Sequence, residues 1–496
     1  MKFFQKTVST IGVLVLILVS TSIKAKGTYD YLYRDLPFSM SKVKAPVFKN
    51  NKLSVVDFGG LGDGYTLNTQ AFSQAVDALS GRGGGTLIVP PGVWFTGPIV
   101  LKSNINLHLE KGALILFSPD FNLYPLVNTI FEGLETRRCQ SPISARNAKN
   151  IAITGQGSIN GSGEAWRPLK KSKVTDLHWK SVIKSGGVLK DPTYWFPSAK
   201  SLKGESLSDM NVPRGKLTDL DWISIKDFLR PAMINFIECE NVMLQGILFE
   251  NSPSWNIHPL MCTNLIVDNI SVRNPSYAQN GDGIDVESCK NVLILNSNFD
   301  VGDDAICIKS GKDEEGRQVG IACENIRISN CRFVEGFGVA VGSEMSGSVR
   351  NVLVQDCTCE NTYFAVSLKS PRGRGGIIEN IKYENITQYY HIREFQDCRW
   401  FRGAINIDMF YSHDKTVTDE KIPRTEGTPS IQNVLIKNIS VDTFAGNAIF
   451  LYGLPEQYLK NITLDNITAT AKNGMKVNNV NDLIMKDIMI HEEPNR

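Results

Sequence analysis

A short segment led by asparagine recurs through the second half of the chain. It reads NVMLQGILF at Asn241, NLIVDNISV at Asn264, NVLILNSNF at Asn291 and NIRISNCRF at Asn325. It continues as NVLVQDCTC at Asn351, NIKYENITQ at Asn380, NVLIKNISV at Asn433 and NITLDNITA at Asn461. Successive spacings are 23, 27, 34, 26, 29, 53 and 28 residues, with the longest expected to hide a degenerate turn. A β-rich unit of this length cannot close a core of its own and must stack on its neighbours. Leucine-rich repeats share the period but need an LxxLxL frame, which is absent. The pattern therefore predicts an all-β chain, a right-handed parallel β-helix whose equivalent residues stack about 4.8 Å apart.

A second strand aligns shortly before several of these asparagines, as in MINFIE (233), NIHPL (256), GIDVES (283), AICIKS (305), VAVGSE (339), AVSLKS (365) and AINIDM (404). Alternation sends Ile284, Val286, Ile306, Ile308, Val366, Leu368, Ile405 and Ile407 inward and leaves the residues between them facing solvent. The same alignment puts Cys239, Cys262 and Cys289 at one stacking position and Cys331 with Cys357 at another. Such columns read as buried ladders of small side chains rather than disulfides. No His/Cys cluster has zinc spacing. The NxS/T triplets, such as NIT at Asn461, read as turn asparagines.

Apolar spacing over Asn68 to Gly81 predicts one helix, with Ala71, Phe72, Ala75, Val76 and Leu79 on its buried face. That helix is expected to cap the N-terminal end of the stack, where an open edge invites aggregation. Residues 166–227 interrupt the repeat, are rich in lysine and carry Trp166, Trp179, Tyr194, Trp195, Phe196 and Trp222. They read as an insert in a single β-helix domain spanning 51–490. Such an insert could wall off one end of a groove and line it with aromatic faces.

Residues 1–25 read as a signal peptide, with Lys2 and Lys6 ahead of the apolar run Ile11 to Val19, and 26–50 as an N-terminal extension. Nine apolar residues are too few to span a bilayer. The first cysteine is Cys139, so no lipid-modification site follows the run. The expectation is a periplasmic or secreted monomer without a membrane anchor in its mature form. A formal net charge of +2 gives no global pull toward nucleic acid.

The stretch FDVGDDAICIKSG sets Asp303 beside Asp304, directly before a strand. Asp282 precedes the preceding coil's strand in the same way, so the three acids are expected to share one bend. Acids packed this closely cannot all ionise freely, which separates an acid from a base and suits glycosidic hydrolysis. Asp-rich turns also bond backbone amides, and Asp clusters also bind Ca²⁺. The outward columns put His258 beside Asp285 and Glu287 beside Lys309, the latter read as a structural ion pair, with Lys369 further along.

At these residues the chain resembles glycoside hydrolase family 28, the polygalacturonase family. The resemblance begins at VVDFGGLGDGYTLNTQAFSQAV and is most specific from NGDGIDVESCKNVLI through FDVGDDAICIKSG to GSEMSGSVRNV and LKSPRGRGG. It implies an inverting hydrolase of α-linked galacturonic acid bonds in pectic polysaccharides or oligosaccharides, with no cofactor and no metal. Asp303 would be the general acid, and Asp282 and Asp304 would hold the attacking water. The family's Asn-Thr-Asp stands here as Asn280-Gly281-Asp282, its Gly-His-Gly as Gly336-Phe337-Gly338, and its Arg-Ile-Lys as Ser367-Leu368-Lys369. Lys369, His258, Lys309, Phe337 and Arg402 are the expected substrate-binding residues. Losing a histidine and an arginine favours a less polar sugar face over plain polygalacturonate, and exo action is expected because the aromatic insert could wall off one end of the groove and stack on sugars. A polysaccharide lyase and a non-catalytic glycan-binding β-helix are the rival readings.

Overall fold

The computed structural model describes residues 29–391, 398, 400–411, 418–443 and 445–494. The expected signal peptide at 1–25 lies outside them. Residues 29–35 belong to a small separate unit with one 3-10 turn, Asp30–Tyr33; the second unit runs from Leu36 onward.

The second unit is a right-handed parallel β-helix, with short strands stacking coil on coil in two long sheets. The asparagine that leads each repeat explains the turn. Asn241, Asn264, Asn291, Asn325, Asn351, Asn380, Asn433 and Asn461 all have φ between 52 and 61°. Among residues with a Cβ, asparagine is one of the few that visits this left-handed region readily. Each donates its side-chain amide to the asparagine one coil back, from 3.1 Å for Asn264 on Asn241 to 2.9 Å for Asn461 on Asn433. The ladder starts earlier than the repeat suggested, since Asn150 donates to Asn104 and Asn241 to Asn150.

The 53-residue spacing contains no hidden turn. Asn433 bonds Asn380 directly, and the strands Ile377–Tyr389 and Ser430–Asp442 pair as neighbours. The strands on either side of the long spacing therefore belong to adjacent coils.

Helix α1 (Thr69–Gly81) buries the five apolar residues expected of it, and all five join the main core. The cysteine columns are real: Cys262 N–H lies 3.4 Å from Cys289 Sγ, and none of the ten cysteines is in a disulfide. The insert folds between stacked coils, because Ser158–Asn160 pairs directly with Leu248–Glu250 across it. It carries an antiparallel sheet of Leu169–Lys170, Tyr194–Phe196 and Val188–Asp191, plus short helices.

Two groups of strands position the site. The hairpin β1 (Leu126–Phe131) and β2 (Leu134–Cys139) projects from the first half of the chain. The second group is consecutive rungs of one sheet: β3 (Ile234–Ile237), β4 (Ile257–Leu260), β5 (Ile284–Glu287), β6 (Ile306–Lys309), β7 (Val339–Val341), β8 (Val366–Lys369) and β9 (Gly403–Asp408). Their inward residues are the isoleucines, valines and leucines expected. Their outward residues do not meet solvent. His258, Asp285, Glu287, Cys307, Lys309 and Ser367 are all buried, because the hairpin, the insert and the loops between coils stand over this face.

Candidate active site

The covered face leaves a cavity of about 1360 Å³. Asp282, Asp303 and Asp304 line it, and one oxygen of each lies within 4.8 Å of the others. Backbone pairing brings them together: Gly283 N–H donates to Asp304 O at 2.9 Å, so the two bends are stacked. The glycine at 336 fixes the next bend. Its φ is 62°, and a Cβ there would sit 2.2 Å from Asp303 O.

The three carboxyls differ in their surroundings. Asp303 is partly exposed to the cavity, and its Oδ1 accepts the Asp304 N–H at 3.0 Å. Burial, then the charge of Asp304, raises its pKa, against the pull of Lys173 and Lys369. Asp282 is buried, and burial followed by the charges of Asp303 and Asp285 pushes its pKa well up. Asp304 is buried and receives Lys369 Nζ on Oδ2 at 2.9 Å. Asp282 Oδ1 and Asp304 Oδ1 are sealed from solvent without a protein partner. Unbonded buried carboxylate oxygens are costly unless a ligand or water meets them. Three acids at this spacing also form a possible cation-binding set, although the Lys369 ammonium already supplies one positive charge there.

Lys309 does not pair with Glu287, although they are neighbours in the β5–β6 register. Its Nζ lies 2.9 Å from Asp285 Oδ1, 3.7 Å from Glu344 Oε2 and 3.9 Å from the Trp255 ring centroid. The nearer, fully buried Asp285 wins the lysine, and Glu287 instead bonds His258 Nε2 at 2.8 Å. Asp285, raised by burial to about 7, is held by Lys309. Glu344 shows the opposite balance: burial would raise it, but Lys309, Arg374, Lys312 and Lys369 hold it at about 2.

Lys309, Lys369 and Phe337 line the cavity as expected, and His258 and Arg402 do not. His258 is sealed against Trp255, Asn235 and Glu287, so it supports the wall rather than reaching a sugar. Arg402 is exposed, stands one residue ahead of β9 and does not line the cavity. Phe337 packs beside Tyr363 and Phe364, with ring centroids 5.1 and 5.9 Å away. Arg372 and Arg374 line the cavity but are engaged, Arg372 by Glu456 at 2.7 Å and Arg374 by Asp313 at 2.5 Å. Of the six aromatics of the insert, only Tyr194 lines the cavity; Trp166, Trp179 and Trp195 fill small cores.

Several lining residues had no sequence signal. Arg230, at the end of the insert, donates to Asn280 Oδ1 at 2.9 Å and so fixes the bend that carries Asp282. Glu132 comes from the hairpin tip, Glu344 from the turn after β7, and Tyr411 sits 5.1 Å from Lys369 Nζ. Each reaches the cavity from a loop whose path the repeat does not dictate.

A clustered carboxylate site on the roofed face of a parallel β-helix defines a glycoside hydrolase of the acid–base kind. Residues 225–491 match glycosyl hydrolases family 28, and the chain belongs to that family. A probable polygalacturonase of Vitis vinifera is 28% identical over 477 residues, 94% of this chain and 82% of its own. An exo-poly-alpha-D-galacturonosidase of Dickeya chrysanthemi is 28% identical over 343 residues, 67% of this chain and 54% of its own. The crystal structure of a hyperthermoactive exopolygalacturonase from Thermotoga maritima is 32% identical, covers 90% of this chain and 94% of its own, and superposes with a TM-score of 0.72.

Proposed function

We propose that the chain is an exported, monomeric, exo-acting hydrolase of α-linked galacturonic acid bonds in pectic polysaccharides, working with inversion. The observation that carries the mechanism is the pair of unbonded oxygens, Asp282 Oδ1 and Asp304 Oδ1, beside the partly exposed Asp303. In this reading Asp303 gives its proton to the glycosidic oxygen. A water held by Asp282 and Asp304 loses a proton to one of them and attacks the anomeric carbon. The raised pKa of Asp303 favours its protonated form, the one that can donate. Lys369 holds Asp304 in place, and Lys309 steadies the Asp285–Asp282 side of the site. No helix among the described residues is long and apolar enough to cross a membrane.

Exo action is supported by the hairpin residue Glu132 and the insert residues such as Lys170, Lys173 and Tyr194 that line the cavity, and by the names of the Dickeya and Thermotoga relatives. The test is a time course on polygalacturonate. Monogalacturonate should appear first while viscosity falls slowly; early mid-length oligomers would overturn exo action. Products carrying an ultraviolet-absorbing double bond, or activity abolished by a chelator, would instead support a lyase.

A further inference from the structure

The tip of the β1–β2 hairpin, Phe131-Glu132-Gly133-Leu134, borders the cavity through Glu132 and is locked in place. Glu132 has φ 51°. Lys312 N–H donates to Gly133 O at 3.2 Å, and a Cβ at Gly133 would sit 2.5 Å from that nitrogen. Phe131 stacks on Trp255 with centroids 4.1 Å apart, and Arg138 lies 3.8 Å from the Phe131 centroid. The hairpin borders two cavities that share no lining residue. Glu132 faces the carboxylate cavity; Thr129, Ile130 and Glu135 face a second one of about 1100 Å³. The tip stands as a dam between them.

Two buried polar side chains line the catalytic side of this dam. Glu132 is 6% exposed; its Oε1 accepts from Asn211 Nδ2 at 2.5 Å, and its Oε2 has no partner among the described residues. Lys312 is 7% exposed, lines the same cavity and is in no ion pair among the described residues. Burial pushes the Glu132 carboxyl up; Asn211, Lys312 and Lys309 favour its ionised form. Lys309 acts on Asp282 as well, so this corner and the catalytic carboxyls share one electrostatic neighbourhood.

We infer that Glu132 and Lys312 read the free end of the polysaccharide chain, Lys312 taking the carboxylate of the terminal uronate and Glu132 Oε2 accepting a hydrogen bond from its end hydroxyl. The inference rests on the exo reading above. In an internal residue that hydroxyl is a glycosidic ether with no hydrogen to give. The carboxylate would then face a lone pair and remain buried and unpaired. Sites built to bond a hydroxyl reject analogues lacking it by large factors, up to about 10⁴. The dam adds a steric bar, since the next sugar would have to occupy the hairpin tip.

The test uses trigalacturonate in three forms: free, methylated on the 4-hydroxyl of the non-reducing end, and blocked as the methyl glycoside at the reducing end. In the wild type one of the two caps should cut kcat/KM by about a hundredfold or more. Glu132→Ala should shrink that penalty below about tenfold, by slowing the free trimer and sparing the capped one. Glu132→Gln keeps the side-chain volume and should also shrink the penalty, which covers the case that the alanine variant misfolds. Lys312→Met should raise KM for the free trimer about tenfold with kcat within a few-fold, and leave a trimer esterified at the terminal carboxyl unaffected. A wild type that releases monomer yet ignores both caps overturns this inference alone. So does a full penalty in both Glu132 variants, or an unchanged KM in Lys312→Met. A wild type that releases no monomer from the free trimer overturns the exo reading and this inference with it.

Discussion

Lys369 Nζ lies 2.9 Å from Asp304 Oδ2, a charge-assisted bond that joins two coils across the rung between them. The lysine spends its charge on a carboxylate of the site rather than leaving it free for substrate. Its ammonium is held charged, pushed well up by Asp304 against the opposing effect of burial. The bond fixes one oxygen of Asp304 and leaves Oδ1 for a water.

Lys369 also lowers the pKa of Asp303. Replacing it with methionine should therefore raise the Asp303 pKa further. The acid form is the active one, and it is lost as pH rises through that pKa. The alkaline limb of kcat/KM should move to higher pH in Lys369→Met, while kcat falls by about tenfold or more because Asp304 loses its anchor. An alkaline limb that stays put or moves down would show that Asp303 does not set it.

Glu344 is the acid whose ionised form the fold favours most clearly. Its pKa is about 2 in the folded state against 4.5 for an unperturbed glutamate. The stabilisation is complete above the unfolded value and is lost as pH falls toward 2. Glu344→Gln should cost about 3 kcal/mol at neutral pH, since it strips a carboxylate from the largely buried Lys309 and Arg374. The cost should shrink on acidification, and urea unfolding at pH 7 and pH 3 measures it.

The asparagine ladder makes a separate stability claim. Asn325 donates to Asn291 at 3.1 Å, accepts from Asn351 at 3.0 Å and has φ 61°. Asn325→Ala should destabilise by about 2–3 kcal/mol, from two lost hydrogen bonds and a strained backbone. Asn325→Gly should recover about 1 kcal/mol of that, because only the backbone term is relieved. Equal losses in the two variants would remove the left-handed turn from the explanation.

The repeat made the solenoid legible because one residue type does one job in each coil. Asparagine is the residue with a Cβ best suited to the left-handed turn, and its side chain then stacks on its own kind. The three aspartates were legible for the same reason, being locked to the starts of stacked strands. What stayed hidden were the partners across that face. Lys309 and Glu287 are register neighbours, yet a diagonal contact with Asp285 takes the lysine, and register alone cannot rank two carboxylates. Glu132, Arg230 and Tyr411 arrive on loops, and nothing in the period dictates where a loop returns. The same holds for Arg402, whose position next to a strand start said nothing of which way it faces.

Substrate choice follows from two positions. Phe337 puts a ring beside Tyr363, and Ser367 leaves a buried hydroxyl without a partner on the cavity wall. A sugar resting there meets an apolar face instead of a fixed guanidinium, a difference of about ten- to a hundredfold in binding a carboxylate. We expect kcat/KM to be higher on methyl-esterified or rhamnose-containing pectic oligomers than on plain oligogalacturonates. A clear preference for the plain oligomers would mean that another cation compensates.

Stereochemistry offers an independent check on the water. Asp282 Oδ1 and Asp304 Oδ1 are both buried without a protein partner, which suits a shared water better than a single nucleophile. Proton NMR of the first-formed product should show the inverted anomer. Retention would point to a covalent intermediate on one of the two.

If Asp303 is the proton donor, its importance depends on the leaving group. Asp303→Asn should lower kcat on trigalacturonate by about 10²–10⁴. On an aryl galacturonide, whose leaving group departs without a proton, the same variant should lose no more than about tenfold. Equal losses on both substrates, or no loss on trigalacturonate, would contradict the assignment.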